Sequence, residues 1–162
     1  MVRTGVHQAL EELRQVIGLL REQDDHLDEL EPRPGLTDLP GLIIDARQAD
    51  QPVRLREEVT DAADLPAAAS RTAYRVVQEG LTNARKHAPG QPVDVLLRGT
   101  PGTPLLIDIR NPLPPAGPAL PTPGSGLGLV GLTERVRLAG GQLDHHSTDG
   151  EFRLQARLPW PA

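Results

Sequence analysis

The sequence predicts an α+β fold, a two-layer sandwich in which a mostly antiparallel sheet is covered by helices on one face, with one further helix ahead of it. Three observations carry that expectation. Ala73, Val76, Val77, Gly80, Leu81 and Ala84 form one stripe at helical spacing inside a long segment, 66–88. Two pairs of strand-like runs, 93–98 with 105–110 and 142–147 with 152–158, are neighbours in sequence and joined by turn-forming residues. Helical segments precede and separate these pairs, so the strands gain an apolar cover rather than a second sheet.

Composition is consistent with such a core and excludes several function classes. At 162 residues the chain is predicted to hold one main domain, long enough to bury about 70 % of its unfolded surface. Tyr74, Phe152 and Trp160 are the whole aromatic set, so Leu, Val, Ile and Ala must build the interior. Net charge is −5 with no basic run, which disfavours nucleic acid as a partner. Without cysteine there are no disulfides, thiolate metal sites or thiol chemistry. No apolar run approaches the roughly 20 residues that span a bilayer, and no signal peptide opens the chain. A cytoplasmic location without membrane contact by this segment is the expectation.

The elements follow in order. Val6, Leu10, Leu13, Ile17, Leu20 and Leu27 fall on a heptad seam interrupted at Asp24, which predicts a helix over 6–30. Such a seam either packs on its own domain or faces another helix in a dimerising bundle; its narrowness favours the bundle, hence a homodimer. Pro32-Arg33-Pro34-Gly35 ends that helix and reads as a linker, giving segments 1–31, 32–35 and 36–162. A short helix is expected over 39–48, with Thr37 or Asp38 as its cap and Pro40 in its first turn. Alternation predicts a strand over 52–59. The long helix, 66–88, is stopped by Pro89-Gly90, and the strands 93–98 and 105–110 are expected to form a hairpin. Residues 112–125 are too rich in proline and glycine for regular structure and read as a functional or mobile loop, a candidate lid. A helix over 127–139 stops at Gly140-Gly141. Thr148-Asp149-Gly150 then turns the closing hairpin.

Within the long helix, polar residues stand where apolar ones are expected. Asn83 and His87 project at the edge of the apolar stripe, Glu79 lies just beyond them, and Lys86 sits on its outer side. Gln78, Thr82 and Arg85 fall on the solvent side. A carboxylate, an amide and an imidazole at i, i+4 and i+8 therefore line one wall of a candidate cleft. Half-buried polar groups are unfavourable unless something bonds to them, and a ligand is the candidate partner.

Gly124-Ser125-Gly126-Leu127-Gly128-Leu129 leads from the Pro/Gly-rich loop into a helix. Glycines there let backbone N–H groups approach an anion, and the helix N-terminus adds partial positive charge. The same residues could equally be a flexible connector. Gly126, Gly128 and Gly131 match a dinucleotide-binding fingerprint, but the strand that must precede it is missing. A Walker-type loop is absent, and the protein-kinase glycine loop lacks its Val and its downstream catalytic set.

Taken together, YRVVQEGLTNARKHA, LLIDIRNP and GSGLGLVGLTERVRLAGG resemble, in order and spacing, the N, D and G boxes of the catalytic ATP-binding domain of two-component sensor histidine kinases. The resemblance covers about residues 36–160 and is nearest to the short-lid actinobacterial subgroup; VHQALEELRQVIGLLRE looks like that subgroup's second dimerisation helix. It implies the Bergerat-type sandwich shared with DNA gyrase B and Hsp90, a fold that does not fix function. It also implies ATP and Mg²⁺ as ligands. Asn83 would hold the Mg²⁺, for which an amide oxygen is a suitable hard donor. Glu79 would accept a proton from the attacking histidine. Lys86 and His87 would contact phosphates, as would the backbone at Gly124, Gly126, Leu127, Gly128 and Leu129.

Two departures from the family pattern stand out. Asn111-Pro112-Leu113-Pro114 occupies the place of Asp and Gly-x-Gly; an Asn carbonyl can still accept a hydrogen bond from the adenine amino group, but without charge. Asn111 could otherwise be a turn residue before proline. Second, nothing resembling the phosphoacceptor histidine precedes 6–30, and His7 lies on the wrong helix. The resemblance thus implies a catalytic half whose partners are a histidine-bearing dimerisation domain and a response regulator. A non-catalytic interaction module with a degenerate D box, or an anti-sigma-type serine kinase, are the alternatives; the helix over 6–30 argues against the last.

Overall fold

The computed structural model describes residues 33–115 and 127–162. The predicted helix over 6–30 and the loop from 116 to 126, with its expected role as a lid, lie outside the described residues.

Strands β1 (Val53–Val59), β2 (Val93–Gly99), β3 (Leu105–Pro112), β4 (Gln142–Thr148) and β5 (Glu151–Leu158) form one sheet in the order β1-β2-β3-β5-β4. β1 runs parallel to β2, and the remaining pairings are antiparallel. Helices α1 (Leu39–Gln48), α2 (Ala67–His87) and α3 (Leu127–Leu138) complete the layer architecture read from the sequence. Both hairpins form as expected. The β4–β5 turn places Asp149 at φ 53° and Gly150 at φ 77°, the paired left-handed conformation of a two-residue turn whose twist matches its strands.

Alternation decides which face of the sheet is covered. Val93, Val95 and Leu97 of β2, Leu105, Ile107 and Ile109 of β3, and Leu154, Ala156 and Leu158 of β5 are buried in register with one another. Ala73, Val76, Val77, Leu81 and Ala84 of α2 and Val136 of α3 belong to the same core. Gly80 sets how closely α2 approaches β3, since a Cβ there would lie 2.5 Å from Cδ1 of Ile109. β3 runs two residues beyond its predicted end, so Asn111 is a strand residue paired with Phe152 rather than a turn residue. Pro112 pairs with Glu151 of β5 and is accommodated because β2 pairing stops at Arg110, so no strand on that side needs its missing N–H.

Several local contacts differ from the sequence reading. Asp38 precedes α1 and Pro40 lies in its first turn, but the Asp38 carboxylate caps nothing in that helix. It accepts from Gly35 N at 2.8 Å instead. Leu36 N donates to Ser70 Oγ on α2 at 2.9 Å, so Gly35 and Leu36 are pinned against the long helix. Gln51, between α1 and β1, is buried, and its Nε2 donates to the Leu81 carbonyl at 2.9 Å.

Candidate functional site

On α2, the buried residues are Ala69, Thr72, Ala73, Val76, Val77, Gly80, Leu81, Asn83 and Ala84. Asn83 was expected at the edge of the stripe but is only 7 % exposed. With no side chain at Gly80, α2 lies close on β3 at Ile109. Glu79 and His87 are half-buried, while Lys86 and Arg85 are exposed. Gln78 and Thr82, expected in solvent, are half-buried; Arg75 donates to Gln78 Oε1 at 2.9 Å.

Two buried amide atoms lack partners. Asn83 Nδ2 is buried without a hydrogen bond, and so is Asn111 Oδ1. The Asn111 amide is oriented by its own neighbour: Nδ2 donates to the Pro112 carbonyl at 3.1 Å, and the reverse orientation would set two oxygens face to face. The carbonyl oxygen of Asn111 is therefore held as a free acceptor on the helix-covered face of β3, the face that carries Ile107 and Ile109. An unpaired buried polar atom is unfavourable by about 1–3 kcal/mol, a penalty that a ligand donating to it would relieve. Trp160 Nε1, near the C-terminus, is the other such atom among the described residues.

The first turn of α3 abuts the Glu79 carboxylate. A Cβ on Gly128 would overlap Glu79 Oε1 and lie 3.0 Å from its Cδ. The structure thus brings together Glu79 and Gly128, two of the sequence-derived candidates, from separate elements. Leu127 opens α3, and Leu129 is half-buried against the core, so its side chain packs inward. Gly124 and Gly126 lie outside the described residues. Among those described, no group of three or more His, Cys, Asp or Glu is placed to hold a metal.

One carboxylate escaped the sequence reading. Asp108, 3 % exposed, lies on the opposite face of β3 from Ile107 and Ile109 and takes hydrogen bonds from Arg153 Nη2 (2.8 Å) and Arg110 Nη2 (2.7 Å). Burial alone would raise its pKa; the hydrogen bonds from Arg153 and Arg110 outweigh that and hold the carboxyl below its ordinary value. The spacing of Asp108 and Arg110, i and i+2 in an alternating strand, was the available signal.

A five-stranded, mostly antiparallel sheet covered on one face by helices is the fold of the histidine kinase ATP-binding domain. No family model matches the chain. Among solved structures it is similar to the blue-light activated histidine kinase EL346 of Erythrobacter litoralis, with TM-score 0.58 and 17 % identity over 78 % of this chain and 42 % of that one. It is also similar to the Acinetobacter baumannii histidine kinase AdeS, with TM-score 0.58 and 12 % identity over 94 % of this chain and 81 % of that one. The nucleotide-free catalytic domain of histidine kinase ThkA gives TM-score 0.53 and 19 % identity over 77 % and 96 %. The chain thus spans less than half the length of the Erythrobacter kinase. No helix among the described residues is long and apolar enough to cross a membrane.

Proposed function

We propose that this chain binds Mg²⁺-ATP and supplies the catalytic half of a sensor histidine kinase in two-component signalling. The observation that carries this reading is the buried, unpaired carbonyl oxygen of Asn111, fixed by Pro112 on the covered face of the sheet. An exocyclic amino group of adenine is a donor that suits it. Asn83 would hold Mg²⁺, which when bound neutralises phosphate charge; Lys86, His87 and the backbone of the Gly124–Leu129 segment would bind the phosphates.

In the reaction, a neutral imidazole nitrogen on a separate dimerisation domain forms a bond to the γ-phosphorus as the bond to the β–γ bridging oxygen breaks. ADP leaves, and Glu79 takes the proton released from the other ring nitrogen. The phosphoryl group then passes to a response regulator. The helix that the sequence predicts over 6–30 would pair two copies of the chain. A non-catalytic interaction module would leave the free acceptor of Asn111 without a role.

Incubating the chain with γ-labelled ATP and a separately supplied histidine-bearing dimerisation domain tests this. Acid-labile, base-stable label should appear on the partner and not on the isolated chain. Glu79→Gln should lower the rate by about 10²–10⁴ while changing ATP affinity little, because the carboxylate acts on the nucleophile. Label on His7 of the isolated chain, or full activity of Glu79→Gln, would contradict the assignment.

A further inference from the structure

We infer that Gly128 is a positioning residue for Glu79: the missing side chain at the start of α3 leaves the space in which the carboxylate stands. This inference rests on the phosphoryl-transfer role proposed for Glu79 and adds to it the residue that sets the carboxylate's orientation.

The glycines of this segment are not equivalent. Around Gly131, one turn further along α3, a Cβ would meet nothing within 4 Å. At Gly128 the same atom would fall on Glu79 Oε1, with Cδ at 3.0 Å and Oε2 at 3.5 Å. Phosphate binding by backbone amides gives one reason for glycine at 128. Contact with Glu79 gives another that requires no ligand.

The kind of atom displaced makes the inference testable. At Gly80 an added Cβ would strike Ile109 Cδ1, and at Gly141 it would strike the Arg157 carbonyl, so core or backbone must move. At Gly128 it strikes the far end of a flexible, half-buried side chain. Gly128→Ala should therefore swing the carboxylate aside while the fold survives, and helix propensity offsets part of the disturbance. Charge, hydrogen-bonding capacity and identity of Glu79 all remain; only its place changes. Proton transfer is sensitive to such a displacement, since acceptor and donor must meet within hydrogen-bond reach.

Two measurements on the full chain decide it. The ¹³Cδ resonance of Glu79 in the nucleotide-free protein should move in Gly128→Ala and stay in Gly131→Ala; an unmoved resonance in Gly128→Ala overturns the inference without any appeal to activity. Single-turnover transfer to a supplied histidine domain, at saturating Mg²⁺-ATP, should fall at least tenfold in Gly128→Ala and stay within about twofold in Gly131→Ala. Made in the Glu79→Gln background, Gly128→Ala should lower the rate no further, since its effect acts through the carboxylate. Equal losses in both backgrounds would show that Gly128 serves only the nucleotide. A parent chain that binds no ATP would instead refute the kinase reading, and the resonance test would still stand.

Discussion

Asn111 shows how much a single side chain can report once its neighbours are known. From the sequence it reads as an uncharged substitute in a degenerate motif or as a turn residue; in the structure it is a buried strand residue whose donor is committed and whose acceptor is free. Asn111→Ala should weaken ATP binding by roughly 1–3 kcal/mol, about 5- to 150-fold, because it deletes the acceptor, and calorimetric titration reads that directly. Thermal stability should change less than one lost hydrogen bond implies, because losing the Nδ2 bond to the Pro112 carbonyl is offset by removing an unpaired buried oxygen. Asp108 makes a separate prediction. Its carboxyl is held below the ordinary value by Arg153 and Arg110, so the stability it contributes is fully present above the unfolded-state pKa of about 4. That stability is lost as pH falls further, through the lower folded-state value. Asp108→Asn should lower the urea midpoint at pH 7 by an amount equivalent to about 1–3 kcal/mol and narrow the difference from the parent below pH 4. A constant difference across that range would show that the ion pairs contribute nothing. Asp108 was missed because a charged residue in an alternating strand reads as solvent-facing, and the partner that reaches it from the neighbouring strand, Arg153, is remote in sequence.

At the scale of elements, periodicity was a reliable guide because each helix and strand buries one face. The apolar stripe of α2 and the alternation in β2, β3 and β5 coincide with the buried residues, and turn chemistry placed both hairpins. What periodicity could not show is how closely two faces approach. Gly80 reads as one member of the apolar stripe, yet it is where α2 comes closest to Ile109. Gly80→Ala gains helix propensity, but its methyl would meet Ile109 Cδ1; net destabilisation of about 1–2 kcal/mol is expected from overpacking. Ile109→Val removes the atom in conflict, so the pair Gly80→Ala with Ile109→Val should be more stable than the sum of the single changes implies. Additive losses in denaturant unfolding would contradict this packing. Contacts made by connectors were equally illegible: Gln51 to Leu81 and Leu36 to Ser70 join residues remote in sequence, and no local pattern announces them.

For the whole molecule, fold class followed from element order, whereas strand order did not. Nothing local to β1 shows that it lies parallel on the β2 edge, or that β5 enters between β3 and β4; these follow from long-range burial. The candidate site depends on that assembly, since Glu79 and Asn83 come from one helix, Asn111 from the third strand and Gly128 from the last helix. Motif order in the sequence named these residues, and packing supplied the free acceptor and the Glu79–Gly128 contact. The measurement that bears most directly on the proposed function is isothermal titration of the chain with ATP, with and without Mg²⁺, for the parent and for Asn83→Ala. ATP should bind at micromolar to millimolar strength and more tightly with Mg²⁺, and Asn83→Ala should abolish the Mg²⁺-dependent part while leaving the fold intact. No binding at millimolar ATP would contradict the nucleotide-binding reading, and equal affinity with and without Mg²⁺ in the parent would contradict the role of Asn83.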